Sequence, residues 1–366
     1  MSTQKLTHRI IRQSRPYAAL AAAGATTALL ALAAPTPAQA TGLHLVLPGQ
    51  SIQQAIDRSA PGDTILVTPG TYRGSLRISV PGLTLRGMGA TTVIAPQDDP
   101  VTGSAADCAA AGHGICVTGT ADKPVPDVTI ESLAVSGFVH NGIWGSGTDR
   151  LTVRRVLAEQ NGQEGIGEEK SVRGRFTDNT SRDNGEAGIF LANIADGKGG
   201  ATDTQGTLIA RNDLTGNRMG LVVRRLRDLT VEHNTMSSNC AGVFLVGDDD
   251  RPRTGDLDVR DNQVTGNNSY CPATDKLPYL QGIGIVLTGV EQTRVTHNQV
   301  TGNTGAAPMS GGIVLFKSFN GGPSMDNTIS DNIVTGNGPA DLADRDTGTN
   351  TFTGNQCQTS EPAGRC

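Results

Sequence analysis

Residues 229–246 read LTVEHNTMSSNCAGVFLV and hold two asparagines, Asn234 and Asn239, five positions apart. Short alternating apolar runs flank each asparagine, which is typical of short strands joined by tight bends. Asparagine tolerates the left-handed backbone conformation and can bond its own backbone, so we expect it at a corner between strands. This stretch therefore predicts a small, tightly turned β unit.

The same asparagine pair recurs through the second half of the chain. Successive pairs start 22 to 36 residues apart, so the shortest unit has 22 residues and longer units must carry the excess in loops. A unit this short cannot bury its own apolar face and must stack on its neighbours. The pairs are Asn179/Asn184, Asn212/Asn217, Asn234/Asn239, Asn262/Asn267, Asn298/Asn303 and Asn332/Asn337.

Stacked units of this length predict an all-β fold, a single-stranded right-handed parallel β-helix (solenoid) with three strands per coil. The first asparagines of the pairs, with Asn355, would then form a ladder along one edge. A glycine and an aliphatic strand follow each second asparagine, as in GIFLA (188–192) and GVFLV (242–246). Counting such strands predicts about nine or ten coils and a rod of roughly 45 Å.

The open N-terminal end of such a rod needs a cover, because it exposes the core and backbone edges. SIQQAIDRSAPGD, which begins at Ser51, predicts an amphipathic capping helix: Ser51 and Gln54 form a capping-box pattern, and Ile52 and Ile56 share one face. No linker rich in Pro, Gly or Ser divides residues 41–366, which we expect to form one domain.

Residues 1–40 predict a secretory signal peptide. Four basic residues and no acidic ones precede an Ala/Leu-rich stretch, and Ala38-Gln39-Ala40 ends the segment like a cleavage site. A retained membrane anchor is the alternative, which the prolines Pro35 and Pro37 make less favourable. We therefore expect a secreted, extracellular protein with no membrane attachment after cleavage.

The charge of the remaining chain disfavours nucleic acid as a partner. The whole sequence has 30 basic and 35 acidic residues, and four of the basic ones lie in residues 1–40. An acidic chain repels the phosphate backbone, so we expect no nucleic-acid partner. We also expect the protein to be a monomer that binds polysaccharide.

All six cysteines lie in the exported part, which favours three disulfides over a metal site. Cys240 and Cys271 occupy matching places in successive coils, so we expect them to pair. The other two predicted pairs are local in sequence, Cys108 with Cys116 and Cys357 with Cys366.

The opening SIQQAIDRSAPGDTILVTPGTYRG (51–74), with the N-x-x-x-x-N and G-I-x-L repeats after it, resembles secreted right-handed β-helix proteins of the pectate-lyase-like superfamily. The resemblance spans nearly the whole exported chain, and its motifs specify the fold far more than the activity. It implies that the strand after the ladder belongs to the sheet that carries the substrate groove. The outward positions of that sheet would be Cys116, Trp144, Gly167, Phe190, Val222, Phe244, Gly284 and Val314.

Apolar outward residues on this sheet have two interpretations. Trp144, Phe190 and Phe244 could be platforms on which sugar rings stack, with Arg218 as a further substrate-binding residue. Alternatively, loops such as 271–281 and 192–206 fold over the sheet and cover the aromatic rings.

Candidate catalytic residues cluster in EGIGEEKSVRGR (164–175) and, two coils later, at 218–228. Superfamily members that act on uronates need a base and neutralising cations, whereas hydrolases need carboxyl groups on both sides of the bond. Strand alternation from Ile166 points one of the carboxylates, Glu168, inward, where burial would perturb its pKa. A surface salt-bridge network is the competing interpretation. The candidates are Glu168, Glu169, Lys170, Arg173 and Arg224.

Other groups could also carry chemistry. Consecutive acids on a loop can hold calcium, so Asp248 and Asp249 are candidate metal ligands, and a solvated turn is the alternative. His113 and His140 precede glycines of the groove strands and remain candidate acid/base groups.

We therefore expect an exported carbohydrate-active protein that binds and cleaves an extended polysaccharide by β-elimination or hydrolysis. Segments typical of pectate lyases and alginate epimerases are absent from the sequence, so the resemblance does not select a reaction. The alternative is a noncatalytic binding or structural protein of the cell surface or extracellular space, and sugar epimerisation is a third option. Catalysis predicts that the charged groups of 164–175 and 218–228 converge in an open cleft.

Overall fold

The computed structural model describes residues 41–120, 122–193, 199–319 and 321–366. The predicted signal peptide, residues 1–40, lies outside the described residues, as does part of the segment 192–206. The described chain forms three long sheets in which all neighbouring strands are parallel, with a small parallel two-stranded sheet beside them. This confirms the predicted parallel β-helix.

A complete coil contributes one strand to each of three sheets, here called sheets 1, 2 and 3 in the order in which the chain visits them, and the end coils are incomplete. Sheet 1 consists of Leu43–Val46, Thr64–Val67, Thr84–Arg86, Thr129–Glu131, Thr152–Arg154, Arg175–Thr177, Thr202–Ala210, Leu226–Glu232, Gly255–Arg260, Arg294–Thr296, Thr328–Ser330 and Thr351–Thr353. Sheet 2 consists of Gly70–Arg73, Thr92–Ala95, Ala134–Ser136, Leu157–Glu159, Thr180–Arg182, Asp213–Thr215, Thr235–Ser237, Gln263–Thr265, Gln299–Thr301 and Ile333–Thr335. Sheet 3 consists of Leu76–Ile78, Ile115–Thr118, Ile143–Ser146, Ile166–Glu169, Ala187–Ala192, Met219–Arg224, Ala241–Val246, Ile283–Thr288, Gly311–Phe316, Leu342–Arg345 and Ser360–Glu361. The small sheet pairs Val125–Pro126 with Thr148–Asp149.

The rod is longer than the sequence predicts. The described parts of sheets 1, 2 and 3 contain 12, 10 and 11 strands, and twelve strands spaced by about 4.8 Å span roughly 53 Å. The excess over the predicted nine or ten coils lies at the ends. Leu43–Val46 precedes the capping helix, and Thr351–Thr353 follows the last asparagine pair.

Two long asparagine ladders run along the corners of the rod. In the first, which lies between sheets 1 and 2, each side-chain amide donates to the next asparagine, as from Asn212 Nδ2 to Asn234 Oδ1 at 2.8 Å. The second ladder lies between sheets 2 and 3, begins at Asn161 and ends on the carboxylate of Asp341. The predicted ladder is therefore present, and the second member of each pair forms another.

The asparagines do not adopt the left-handed conformation that the sequence analysis expected. Among the described residues, positive φ belongs instead to the residue just before each ladder position, as at Arg211 (φ 55°), His233 (φ 56°) and His297 (φ 56°). The asparagine side chain accepts from backbone N–H groups of the preceding coil and donates to a backbone carbonyl. Its role at the corner is thus to satisfy buried backbone groups rather than to allow the bend.

The capping helix is present at Ile52–Arg58, where the Ser51 hydroxyl accepts from the Gln54 N–H at 3.2 Å. Ile52 and Ile56 are buried against the first coils, which confirms the predicted face. Two short helical turns, Gly103–Ala105 and Ala106–Ala110, follow later. No helix in the described residues is both long and apolar enough to cross a membrane.

All three predicted disulfides are present, linking Cys108 to Cys116, Cys240 to Cys271 and Cys357 to Cys366. The first links Cys116 of sheet 3 to the short helix Ala106–Ala110, and the second links the residue before the strand Ala241–Val246 to a long loop.

Candidate functional site: the outer face of sheet 3

The register of sheet 3 aligns one outward residue from each coil. The aligned row runs Cys116, Trp144, Gly167, Phe190, Val222, Phe244, Val286, Val314 and Ala343. Seven of the predicted outward positions are thus correct, but Gly284 is wrong. The segment GIGIV fits the repeat in two ways, and the paired register places Val286 in the row.

Loops cover this row from Val222 onward. Val222 is 3% exposed and Phe244 is 2% exposed, and both belong to a second apolar core that includes Leu280 and Met309. The disulfide at Cys240 holds the covering loop in place. Phe244 is therefore a packing residue here and not an accessible sugar platform, because the loop removes its ring from solvent.

A second cover lies at the N-terminal end of the row. Cys116 is 3% exposed and is bonded to Cys108 in the short helix Ala106–Ala110. Between the two covers, Trp144 and Phe190 are half-buried. We call this stretch, from the Trp144 strand to the Phe190 strand, the central face.

Trp144 has a defined position on the central face. Its indole ring is nearly parallel to the His113 ring, with 5.7 Å between centroids and 18° between planes. On the other side it lies across Gly167, since a Cβ placed there would be 2.5 Å from Cε3 of the ring. The ring is thus held between two neighbouring coils, with part of its surface open.

Polar side chains border the central face at the turn that enters sheet 3. His140, Gln163 and Glu186 stack on successive coils, because the Gln163 N–H donates to the His140 carbonyl and the Glu186 N–H to the Gln163 carbonyl. Glu164 belongs to the same turns. Burial raises the pKa of the Glu164 carboxyl to about 7, and the negative charge of Glu186 adds to the increase.

Basic side chains lie around this carboxyl pair. Arg218 Nε lies 3.6 Å from Glu186 Oε2, and the same guanidinium donates to the Pro272 carbonyl. His140 Nδ1 donates to the Ala111 carbonyl at 2.7 Å, which leaves Nε2 unprotonated unless the ring is charged. Burial and the nearby His140 lower the pKa of His113 to about 4, so that ring is neutral.

The predicted catalytic residues do not converge in one cleft. Glu168 points into the rod, as strand alternation predicts, and accepts from Thr148 Oγ1 at 2.6 Å. Burial raises its pKa to about 8, and among the described residues it has no cationic partner. An inward carboxyl of this kind cannot contact a polymer on the outer face.

The other members of the predicted cluster lie apart. Glu169 is half-buried on the outer surface and accepts from Ser146 Oγ, whereas Lys170 is exposed. Arg173 forms two hydrogen bonds of 2.7 Å to the Asp149 carboxylate, consistent with the alternative of a structural ion pair. Arg224 lies at the edge of the covered region, beside a cavity. The catalytic roles of these residues stay predictions.

The predicted calcium ligands have other partners. Asp248 Oδ2 lies 3.1 Å from Arg225 Nε, and an Asp249 carboxylate oxygen accepts from the Gly322 N–H. No group of three or more acidic, histidine or cysteine side chains suited to a metal ion occurs in the described part of the chain. Calcium binding stays an untested prediction.

The carboxyl pair Glu164 and Glu186 was not selected from the sequence. Spacing is the sequence feature that could have identified this region, because His140, Gln163 and Glu186 recur every 23 residues just before the strands of sheet 3. Their stacking becomes evident once the coil register is known.

Comparison with known proteins identifies the architecture. Two overlapping stretches, residues 101–252 and 195–321, match the model described as a right handed beta helix region, and together they cover more than half of the chain. The chain belongs to the right-handed β-helix family. No curated protein matches this β-helix protein by sequence.

Solved structures share the fold at low sequence identity. The family 28 exopolygalacturonase of Yersinia enterocolitica is 11% identical, with 87% of this chain and 78% of that chain covered and a TM-score of 0.54. ORF18 of Geobacillus virus E2 is 13% identical, with coverage of 84% and 55% and a TM-score of 0.52. The Dettilon tailspike protein is 14% identical, with coverage of 88% and 60% and a TM-score of 0.50. The chain thus spans little more than half of ORF18 and of the tailspike protein, and these likenesses concern the fold alone.

Proposed function

We propose that this protein is exported, binds a polysaccharide on the central face and hydrolyses it. The observation that carries the proposal is the carboxyl pair Glu164 and Glu186 at the border of a half-exposed aromatic surface. Such pairs, in which one carboxyl is kept protonated and the other ionised, are the machinery of glycosidic bond hydrolysis.

Binding would rest on Trp144. An indole that is held between coils offers a flat apolar surface without losing further conformational freedom when a sugar ring stacks on it. Phe190, two coils further along the row, extends this surface. The two covers limit the accessible row, so the bound segment is a short part of the polymer rather than a long stretch along the rod.

The chemistry would proceed with two roles. Glu164 donates its proton to the glycosidic oxygen as the bond from that oxygen to the anomeric carbon breaks. Glu186 takes a proton from a water molecule, whose oxygen attacks the anomeric carbon. The Arg218 guanidinium lies beside Glu186, with Nε 3.6 Å from Oε2.

Charge favours hydrolysis of a neutral polymer over β-elimination. Elimination from a uronate needs cations that neutralise the substrate carboxylate. Three carboxyl groups, those of Glu164, Glu169 and Glu186, instead border the central face. Glu164 serves as the protonated acid, so the negative charges of the other two would repel a polyanion. A neutral polysaccharide carries no charge to be repelled.

Export is supported by the three disulfides, which persist in oxidising compartments. The exopolygalacturonase with the same fold supports the proposal to the extent that a β-helix can carry carbohydrate hydrolysis.

A noncatalytic binding protein is the second candidate. It is favoured by the structural pairing of Arg173 with Asp149 and by the inward direction of Glu168, which leave the predicted catalytic cluster unassembled. In that case the central face would bind a polysaccharide without cleaving it.

The test is incubation of the purified protein with neutral and acidic polysaccharides, with and without calcium. New reducing ends and the ultraviolet absorbance of unsaturated products are followed together. The proposal predicts reducing ends without absorbance from a neutral polymer. Absorbance would indicate a lyase, and binding without either signal would favour the noncatalytic protein.

A further inference from the structure

A cavity of 450 Å³ adjoins the central face at Phe190 and lies under the loop held by Cys271. Its floor is apolar, and its charged side chains lie at the rim. The lining consists of Phe190, Met219, Val222, Arg224, Phe244, Val246, Asp275, Lys276, Leu277 and Phe319. This volume is in the range of small-molecule sites, which are mostly apolar with a few polar groups that orient the ligand.

The walls exclude a sugar ring as the occupant. Hydroxyl groups that enter an apolar cavity need hydrogen-bonding partners, or their desolvation is uncompensated. Among the described lining residues, hydrogen-bonding side chains occur only at the rim. A ligand that fits must therefore have an apolar body.

The charged residues at the rim of the cavity, Arg224, Asp275 and Lys276, determine which polar group the ligand carries at its other end. Arg224 lies at the end of its strand, half-buried, and forms no ion pair or hydrogen bond through its guanidinium within the described chain. This is unusual here, because Arg218, Arg225 and Arg227 nearby are all paired. A planar guanidinium binds a carboxylate through two parallel hydrogen bonds.

Charge balance at the rim indicates a single negative charge. Arg224 and Lys276 are cationic and Asp275 is anionic, so the three together carry one net positive charge at neutral pH. A monoanion neutralises this charge, whereas a polyanion would meet the Asp275 carboxylate.

We propose that this cavity binds a small monocarboxylate with a compact apolar body, such as an aryl-substituted carboxylic acid. The carboxylate pairs with Arg224, and the apolar body packs on Val246, Leu277 and Phe319, the more accessible apolar side chains of the lining. Phe190 lines both this cavity and the central face, but binding of the monocarboxylate requires no substrate on the central face.

Isothermal titration of the purified protein at neutral pH tests the proposal with two probes of equal shape, 3-phenylpropionate and 3-phenylpropan-1-ol. The acid should bind at one site and the alcohol at least about tenfold more weakly, because it lacks the charge that pairs with Arg224. This comparison uses the unmodified protein, so it does not depend on the folding of a variant. Equal affinity for the two probes, or no binding of the acid, would overturn the proposal.

Variants locate the site. Arg224→Met should weaken binding of the acid at least about tenfold and leave the alcohol unchanged. Val246→Trp should weaken both, because the indole occupies the cavity. Arg175→Met is the control, since Arg175 is exposed on sheet 1 and should not affect either probe. Unchanged binding of the acid by Arg224→Met would contradict the assignment.

Discussion

The indole of Trp144 lies so close to Gly167 on the next coil that a Cβ at position 167 would be 2.5 Å from Cε3 and 2.6 Å from Cζ3. Gly167 has no positive φ, so its backbone could hold a side chain. The glycine is therefore needed for the space that the ring occupies. The two residues together form the apolar surface of the central face.

Gly167→Ala should displace the indole. Trp144 is the single tryptophan of the chain, so its fluorescence reports on this position alone. We expect a shifted emission maximum and polysaccharide binding weakened about tenfold, because the stacking surface is lost. Gly338→Ala is the matched control, since a Cβ there would be 3.5 Å from its nearest neighbour, an ordinary contact. An unchanged spectrum in Gly167→Ala would refute the described packing.

Asn234→Ala should destabilise the rod strongly. Its Oδ1 accepts from both Asn212 N and Asn212 Nδ2, and its Nδ2 donates to the Ile209 carbonyl at 3.0 Å. Truncation leaves several buried groups without hydrogen-bonding partners. The free energy of unfolding, measured with urea, should therefore be lower than that of the unmodified protein by roughly 3 kcal/mol or more. Asn355→Ala, at the half-buried end of the same ladder, should cost less than half as much. Equal losses at the two positions would argue against cooperative burial of the ladder.

The buried Glu168 carboxyl should make stability depend on pH. Its pKa is raised from 4.5 to about 8, mainly by burial. Between these values the folded state keeps a proton that the unfolded state releases, so the free energy of unfolding should decrease as pH rises. The contribution is at most about 1.4 kcal/mol per pH unit.

Glu168→Gln should remove this contribution, because the amide does not titrate. Glu169→Gln, at the half-buried neighbouring position, should retain the dependence of the unmodified protein. Denaturant unfolding between pH 5 and pH 8 measures both. If Glu168→Gln and the unmodified protein show the same slope, Glu168 is ionised in the folded protein.

Removal of the Cys240 to Cys271 disulfide should uncover part of sheet 3. The bond closes a loop across 31 residues, and its loss should cost about 2 to 4 kcal/mol. The double variant Cys240→Ser/Cys271→Ser should also bind a hydrophobic dye, because Phe244 and Val286 lose their cover. The control is Cys357→Ser/Cys366→Ser at the C-terminal end, which covers none of this surface. Absence of dye binding in the first variant would show that packing alone holds the loop.

The fold, the capping helix and the disulfides were predictable because they depend on local chemistry and on the repeat period. Asn234 and Asn239 mark corners at a fixed interval, and a regular stack then determines which strands are neighbours. The expectation that the asparagines adopt the left-handed conformation was wrong, because the residue before each asparagine adopts it and makes the bend. A repeated residue thus revealed the architecture before its physical role was understood.

The site was less predictable because it depends on register and on partners from other coils. Arg173 is in a dense charged cluster in the sequence, but its partner Asp149 is 24 residues away. Glu164 and Glu186 come close together because the turns that carry them stack on each other. The regular spacing of these residues indicates this stacking, whereas the local density of charged residues does not. Gly284 was misplaced because its segment fits two registers of the repeat.

The pH dependence of hydrolysis in carboxyl variants tests the central claim most directly. Release of reducing ends from a neutral polysaccharide should decrease as pH rises through about 7, where Glu164 loses its proton. Glu164→Gln should reduce the rate at least about 100-fold with polysaccharide binding retained, whereas Glu169→Gln should stay close to the unmodified rate. An unaffected rate in Glu164→Gln, or no hydrolysis of any polysaccharide by the unmodified protein, would contradict the account.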